Sequence, residues 1–567
     1  MEKQSIIIDG IKAEIAGEKN VLEVCRKINI ELPTFCYRPE LSVFGACRMC
    51  MVEIEGRGIV PACSTKPENG MIVHTNTRQI RDMRKINIEL LLAAHDQQCT
   101  TCPKSTTCRL QSIAKQLGVT DLRFKNVARQ RVLDRSSLAV MRDQSKCILC
   151  GNCVRMCNEI QTVGALNFAY RGAKAQVGTA FNTSLAKSTC VGCGQCTKVC
   201  PVGALTLKSQ IDGVWNAIYD KSKTTVVQIA PAVRVAVAEY FGKDAGAVTI
   251  GKIVTALRLM GFDVVFDTCF SADLTIMEEG KEFLERLKRG DNMPMFTSCC
   301  PAWVKFVEEF YPQNVKHFST CRSPQQMLGA LCKDTMPKKM NIKREDLVMV
   351  SIMPCTAKKI ESGREEFKTK NNPDVDYVIT TRELAQMIKE RGLDFNKLAD
   401  GEFDKPYELF SGAGVIFGAS GGVSEAVLRF AASTLEKNTK HEFKEVRNAN
   451  GLKISEVTVA GNTLRVAVVS GLGNARKLLD QIHEGKAHFD IMEVMACPHG
   501  CVNGGGQPLV FDTAQIAEKR TKGLFDNDKK IKYHASNENP CIQKLYADEL
   551  THDKAHELLH TKFKGSL

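Results

Sequence analysis

Met495-Ala496-Cys497-Pro498-His499-Gly500-Cys501-Val502-Asn503-Gly504-Gly505-Gly506 decides how this chain is read. Two cysteines with three residues between them precede three consecutive glycines. Glycine lets a backbone approach a bulky inorganic group and adopt dihedrals that other residues avoid. Two upstream stretches share the context: Phe296-Thr297-Ser298-Cys299-Cys300-Pro301-Ala302-Trp303 and Met353-Pro354-Cys355-Thr356-Ala357-Lys358-Lys359. In all three a largely apolar run (Met293 to Phe296, Leu347 to Met353, Phe489 to Met495) leads straight into cysteine. A helix-like segment follows the first two. Sites in α/β sheets gather at the carboxyl ends of strands, so Cys300, Cys355, Cys497 and Cys501 are expected to converge on one cluster.

Cysteine is the anomaly of the composition, at 25 residues in 567, mostly in tight groups. In a long, cytoplasmic-looking chain such groups point to metal ligation rather than disulfides. Hydrophobic and charged contents of 44% and 25% are those of an ordinary globular protein. No apolar run is long enough to span a bilayer, and the start of the chain has neither a signal-peptide core nor a twin-arginine pair. A cytoplasmic protein without a membrane partner is expected. The formal charge of +13 overstates the basicity, since it leaves out metal-bound thiolates. A basic patch for an acidic electron-transfer protein fits this balance. No basic run with interleaved aromatics suggests nucleic acid.

Four regions follow in order. In residues 1–80, Ser5 to Ile8 and Ile11 to Ile15 read as a hairpin across Asp9-Gly10, and Val21 to Lys27 as a helix. Cys36, Cys47, Cys50 and Cys63 follow at spacings x10, x2 and x12, and the loop Phe44 to Cys50 has the look of a plant-type 2Fe–2S loop. A zinc site is the alternative, and Cys25 reads as core. Residues 81–125 carry a helix, Arg81 to Ala94, that ends at His95, then Cys99, Cys102 and Cys108. Residues 126–209 hold a repeat: Cys147-x2-Cys150-x2-Cys153-x3-Cys157 recurs as Cys190-x2-Cys193-x2-Cys196-x3-Cys200-Pro201. This is the pattern of a bacterial two-cluster ferredoxin, in which the fourth cysteine of each run crosses to the other cluster. The expected sets are Cys147, Cys150, Cys153 and Cys200, and Cys190, Cys193, Cys196 and Cys157. Residues 210–567 alternate strands (Thr224 to Ile229, Val264 to Phe266, Arg465 to Val469) with helices (Val248 to Leu259, Ala272 to Lys288). They end in an amphipathic tail, Asn539 to Phe563, read as helix. The pair Gly471-Leu472-Gly473 alone does not make a dinucleotide site.

The three cysteine motifs, in this order and behind this series of iron–sulfur motifs, closely resemble the signatures of the FeFe-hydrogenases over nearly the whole chain. The resemblance implies an α/β and α+β multidomain protein. Its parts would be a β-grasp 2Fe–2S ferredoxin domain, a small His/Cys cluster domain, a bacterial two-cluster ferredoxin domain and a large α/β H-cluster domain. It makes His95 with Cys99, Cys102 and Cys108 a 4Fe–4S site, whose neutral imidazole would raise the cluster potential. One 2Fe–2S cluster and three 4Fe–4S clusters would accompany an H-cluster, a 4Fe–4S cubane joined to a two-iron centre with carbon monoxide, cyanide and azadithiolate. Cys501 would be the bridging thiolate and Cys300, Cys355 and Cys497 the other cubane ligands.

Interconverting protons and dihydrogen needs a redox metal centre, which amino acids do not supply, a nearby base, and routes for protons and electrons. The resemblance gives Cys299 the proton transfer to and from the protein, followed by Glu279, Glu282, Ser319 and Arg286. Glu279, Glu282 and Arg286 share one helical face. The plain alternative is an exposed charged face with a Glu282–Arg286 pair. Lys358, Ser323, Gln325 and the backbone near Pro231 and Ala232 would face cyanide, and Met353, Met495 and Phe417 would wall the pocket. Two positions depart from the family pattern. Cys269 stands where asparagine is expected, as neutral packing or as an altered, oxidisable point on the route. His499 stands where glycine or a small residue is usual and could hydrogen-bond a cluster sulfur. Cys321, Cys332 and Cys541 read as structural thiols.

The expected activity is a ferredoxin-dependent hydrogenase, with dihydrogen and protons as substrates and maturation proteins to load the two-iron centre. The alternatives are the hydrogenase subunit of an NAD(P)-linked complex, a hydrogen sensor, or a relative that works in cluster assembly. Retention of Cys299, Cys501 and the relay carboxylates argues against the last two.

Overall fold

The computed structural model describes residues 4–124, 132–436 and 442–564. The expected boundary at 125–126 and the chain ends 1–3 and 565–567 lie outside them. The chain divides into two compact units: residues 1–160, 164–188 and 199–206, and residues 161–163, 189–198 and 207–567.

The first unit opens with strands β1 (Ser5–Ile8), β2 (Ile11–Glu14), β3 (Met51–Ile54), β4 (Gly58–Pro61) and β5 (Ile72–His74), in the sheet order β2-β1-β5-β3-β4. The β1–β2 hairpin is the expected one. Asp9 (φ 48°) and Gly10 (φ 83°) both take the left-handed conformation that a two-residue type I′ turn demands. Helix α1 (Val21–Lys27) is capped by Asn20 and buries Val21, Leu22, Val24 and Cys25 in the core beside this sheet. Helix α2 (Arg78–Ala93) starts earlier than its apolar pattern suggests, because Thr77 caps Ile80 N. Its Arg84 donates to the carbonyls of Met49 and Met51 at 3.0 and 2.8 Å, anchoring the Cys47–Cys50 loop.

The second unit contains strands β6 (Thr224–Ile229), β7 (Val264–Asp267), β8 (Met295–Phe296), β9 (Leu347–Met353), β10 (Tyr377–Thr380), β11 (Leu452–Val459), β12 (Asn462–Ser470) and β13 (Ile491–Met495). They form two four-stranded sheets, β7-β6-β9-β10 and β8-β13-β12-β11. The first is wholly parallel. The second is parallel except for the β11–β12 hairpin. Every residue of β9 and β13 is buried, which is why these strands read as continuous apolar runs. β8, β9 and β13 each end just before a cysteine motif.

Helices α3 (Thr268–Arg289), α4 (Pro301–Phe310), α5 (Pro324–Met340) and α6 (Ala357–Glu361) follow β7, the Cys299-Cys300 motif, Ser323 and the Cys355 motif. α3 starts before the predicted Ala272, because the Asp267 carboxylate accepts from Cys269 N at 2.9 Å. The tail corrects the sequence reading. It is not one helix but two, α7 (Pro540–Asp548) and α8 (His552–Leu559), with Thr551 capping the second. His560 then pairs across an antiparallel bridge with Cys321. Among the described residues no helix is long and apolar enough to cross a membrane.

Candidate active site and cluster sites

The ends of β6, β9 and β13 open on one cavity in the second unit. Pro231, Ala232, Cys299, Cys300, Gln325, Met353, Cys355, Lys358, Phe417, Met495 and Cys501 all line it. Cys300 and Cys497 are buried, and Cys355 and Cys501 half-buried. The Cys501 thiol is pushed well up by burial and then by the facing sulfurs of Cys300, Cys355, Cys497 and Cys299. Like charges in a low-dielectric pocket raise one another in this way. Ala496 N points at Cys300 Sγ at 3.5 Å, and Met495 Sδ lies 3.8 Å from Cys501 Sγ.

Behind Cys299 the charged groups form a graded series. Glu279 is completely buried, and neither carboxylate oxygen has a hydrogen-bond partner among the described residues. Burial, with the Glu282 charge beside it, pushes its carboxyl up to about 8, so it carries a proton at neutral pH. Ser319 Oγ donates to Glu282 Oε2 at 3.0 Å. Glu282 also accepts from Arg286 Nη2 at 2.5 Å and from Thr320 N at 2.9 Å. Arg286 is itself fixed by the carbonyls of His317 and Phe318. This end of α3 is therefore not an exposed charged face: Glu279 and Arg286 are buried.

Lys358 Nζ donates to the Cys299 carbonyl at 3.0 Å and to Glu361 Oε2 at 3.0 Å. Ser323 Oγ and Gln325 Nε2 also donate to Glu361 Oε2, at 2.9 and 3.0 Å. The three predicted donors are thus gathered on a carboxylate that sequence reading passed over. A second missed group is Glu493 on β13. It is fully buried, accepts from Gly421 N and Ser424 N at 2.7 and 2.8 Å, and is pushed up to about 7 by burial.

The glycine triplet does not use the unusual dihedrals expected of it. None of its members has positive φ. A Cβ on Gly504 would meet Pro354 O at 2.2 Å, one on Gly505 would meet Cys193 O at 2.4 Å, and one on Gly506 the Thr380 side chain at 2.6 Å. The glycines make room for protein. Gly194 and Gly505 pass backbone against backbone, setting the Cys190, Cys193 and Cys196 segment directly against the Cys497 motif. Gln195 Nε2 and Lys198 Nζ donate to Asn503 O at 3.1 and 3.0 Å. His499 sits at φ 64°, the conformation that favours glycine there, and its Nδ1 lies 2.9 Å from Ala449 O. Cys269 is fully buried, and its sulfur accepts from Arg234 Nη2 at 2.9 Å, so it belongs to the packed Arg234–Asp267 ion pair.

In the first unit, Cys36 and Cys47 sulfurs stand 3.4 Å apart. The facing Cys36 and Cys50 push the Cys63 thiol up, while Cys47 and Cys63 hold Cys36 well below the usual thiol range. His95 is buried with no partner for Nδ1 among the described residues, as a metal ligand would be. Burial, and behind it the charges of Cys102 and Cys99, raise the Cys108 thiol, and a Cβ on Gly203 would collide with Cys102 Sγ at 2.6 Å. Cys147, Cys150, Cys153 and Cys200 line one cavity. Cys157 is half-buried in this unit.

The iron-only hydrogenase large subunit, C-terminal domain, matches residues 223–505, and the iron hydrogenase small subunit matches residues 514–565. The NADP-reducing hydrogenase subunit HndD of Solidesulfovibrio fructosivorans is 43% identical over 99% of this chain and 99% of its own. The chain belongs to the FeFe-hydrogenase family. Iron hydrogenase 1 of Clostridium pasteurianum is 38% identical, over 99% of this chain and 100% of that protein. A solved FeFe-hydrogenase HydA1 variant from Chlamydomonas reinhardtii covers 63% of this chain and 99% of its own at 41% identity, with a TM-score of 0.57. A 2Fe–2S iron–sulfur cluster binding domain matches residues 2–78, the NADH-ubiquinone oxidoreductase-G iron–sulfur binding region residues 84–123, and a 4Fe–4S dicluster domain residues 146–204. This FeFe-hydrogenase is therefore an oxidoreductase that joins 2Fe–2S and 4Fe–4S electron-transfer domains to an H-cluster domain.

Proposed function

We propose that this FeFe-hydrogenase reversibly combines two protons and two electrons into dihydrogen at the Cys299 cavity. The convergence of four cysteines from three strand ends, three of them lining one pocket beside the Cys299 thiol, carries the reading. The residues fit the group. Cys300, Cys355, Cys497 and Cys501 would be the thiolates that hold the H-cluster. Met353, Met495 and Phe417 line its pocket with apolar surface, and Lys358, Gln325 and the Pro231–Ala232 backbone, which line it too, would face its polar ligands. When bound, the cluster supplies the metal centre at which dihydrogen is formed or split.

The chain's own work is to move protons and exclude water. Cys299 is the thiol at the cavity wall. Glu279, protonated at neutral pH, stands behind it as a buried acid. Ser319 links to Glu282, and Arg286 holds Glu282 in place. Glu279 and Glu282 lie one turn apart on one helix, which suits transfer from one carboxyl to the other. Electrons would arrive through one 2Fe–2S cluster (Cys36, Cys47, Cys50, Cys63) and three 4Fe–4S clusters. The first of these would be held by His95 with Cys99, Cys102 and Cys108, the others by the Cys147 and Cys190 sets.

The electron partner is ferredoxin or a similar small redox protein. A second reading, the hydrogenase subunit of an NAD(P)-linked complex, is favoured by the full-length likeness to a protein named NADP-reducing. Dihydrogen evolution from reduced viologen by matured protein tests the activity. Cys299→Ala is expected to keep the cluster spectra and lose nearly all turnover; full activity would refute the relay. Ferredoxin and NADPH, offered separately to the isolated chain, decide the partner. Evolution from ferredoxin alone supports the first reading; dependence on added subunits supports the second.

A further inference from the structure

Beside the outer end of the relay, three side chains from three parts of the second unit point at one another. Glu282 comes from α3, Cys321 from the segment before α5, and His560 from the tail. One ligand atom of each lies within 4.8 Å of the others. Cys321 and His560 are held opposite each other by the bonds Arg322 N to Leu559 O and Thr561 N to Thr320 O, both 2.7 Å. In this arrangement they are a non-hydrogen-bonded antiparallel pair, the type whose side chains come closest.

The imidazole is oriented as a ligand histidine is. His560 Nε2 lies 3.1 Å from Glu278 Oε2, and Glu278 is held in turn by Tyr546 OH and, at 3.0 Å, by Lys281 Nζ. A carboxylate on the far nitrogen fixes the ring and raises the basicity of the near one. The near nitrogen, Nδ1, faces inward, 2.8 Å from Thr320 Oγ1, which itself bonds Glu282 Oε2 at 3.0 Å. Thr320 Oγ1 thus bridges the imidazole and the carboxylate, and supplies a fourth donor atom beside the thiol.

We propose that Glu282, Cys321 and His560 form a binding site for a borderline-soft divalent cation of the Zn²⁺ class, closed by Thr320 or water, at the mouth of the proton relay. Mixed sulfur, nitrogen and carboxylate donors select such a cation over Mg²⁺ or Ca²⁺. The Cys321 thiol gives up its proton on binding, as does Nδ1 where it carries one, so occupancy rises with pH. Arg286 opposes the cation from the Oε1 side of Glu282, while Glu278 offsets that charge. The consequence rests on the relay reading above: a cation on Glu282 withdraws the carboxylate that Ser319 serves, and proton traffic stops while electron entry is untouched.

The test adds Zn²⁺ to the matured holoenzyme, removes free metal by desalting, and reads zinc content, dihydrogen evolution and cluster spectra together. One additional zinc per chain is expected, with turnover falling and infrared and paramagnetic cluster signals unchanged. Cys321→Ala and, separately, His560→Gln are expected to lose the extra zinc and to need at least tenfold more Zn²⁺ for half-inhibition. No extra zinc in the wild type, or equal retention in both variants, overturns the site. Zinc bound and lost in the variants without any fall in turnover supports the site and refutes the place of Glu282 in the relay.

Discussion

Lys358 holds its ammonium nitrogen 3.0 Å from the carbonyl oxygen of Cys299. The same nitrogen reaches Glu361 one helical turn on, and Glu361 also receives Ser323 and Gln325. One buried carboxylate therefore sets the direction of three donors, two of which, Lys358 and Gln325, line the cavity. Glu361→Ala leaves a buried ammonium without its partner and is expected to cost about 3 kcal/mol or more of unfolding free energy. Because Lys358 would also turn away from the Cys299 carbonyl, turnover should fall together with stability. Denaturant unfolding and dihydrogen evolution on the same preparation check this; unchanged values for both would refute the clamp.

Glu279 links proton transfer to stability. Its carboxyl is raised from 4.5 to about 8 by burial and by Glu282. Between those values the folded protein holds a proton that the unfolded chain has lost. Its contribution is therefore complete below the unfolded pKa and is lost as pH rises through the folded one. Glu279→Gln removes the titration. The stability of the wild type relative to this variant is expected to fall across that window by about 1.4 kcal/mol per pH unit. Turnover of the variant should fall by about a hundredfold or more. Parallel pH–stability curves would show that Glu279 is ionised in the folded state.

Much of the site was legible because its strands are buried on both faces. The runs Leu347 to Met353 and Phe489 to Met495 stand out from the sequence for that reason, and each hands its cysteine to the same end of a sheet. Local geometry was also legible, as at Asp9-Gly10. What escaped were contacts whose sense depends on distant partners. Glu361 follows Lys358-Lys359-Ile360 like any solvated helix charge, and Glu493 interrupts an apolar strand without a local signal. The Cys321–His560 bridge joins the middle of the chain to its tail, which no periodicity reports, and it lies where a single tail helix was expected. The three consecutive glycines of the Cys497 motif do not use left-handed dihedrals, and their crowding against Pro354, Cys193 and Thr380 comes from residues far away in the chain.

That crowding makes Gly505 a sensitive position. A methyl group there would stand 2.4 Å from the Cys193 carbonyl and 2.8 Å from Thr356 Oγ1, and only backbone movement relieves the first contact. Gly505→Ala is expected to destabilise the protein by roughly 1–3 kcal/mol. It should also slow reduction of the H-cluster domain by widening the gap to the Cys190–Cys196 segment. Stopped-flow reduction compared with viologen-driven turnover measures this. Equal rates in both forms would mean that the Gly194–Gly505 contact sets packing alone.

His95 offers a prediction about potential rather than turnover. Its imidazole is buried, and burial and Lys146 favour the neutral ring. Read as a cluster ligand, it brings no charge where a cysteine would bring a thiolate. His95→Cys adds one negative charge to a site of low dielectric, which favours the oxidised cluster, so the potential should move negative. The side chain is also shorter, and the pairing of Asp96 N with Ser145 O at 3.0 Å keeps the loop from following it. Part of the protein is therefore expected to mature without that cluster. A redox titration followed by paramagnetic resonance, with iron content measured on the same sample, separates the two effects. A full complement of iron with an unshifted potential would remove His95 from the ligand set and leave its buried Nδ1 in need of another partner.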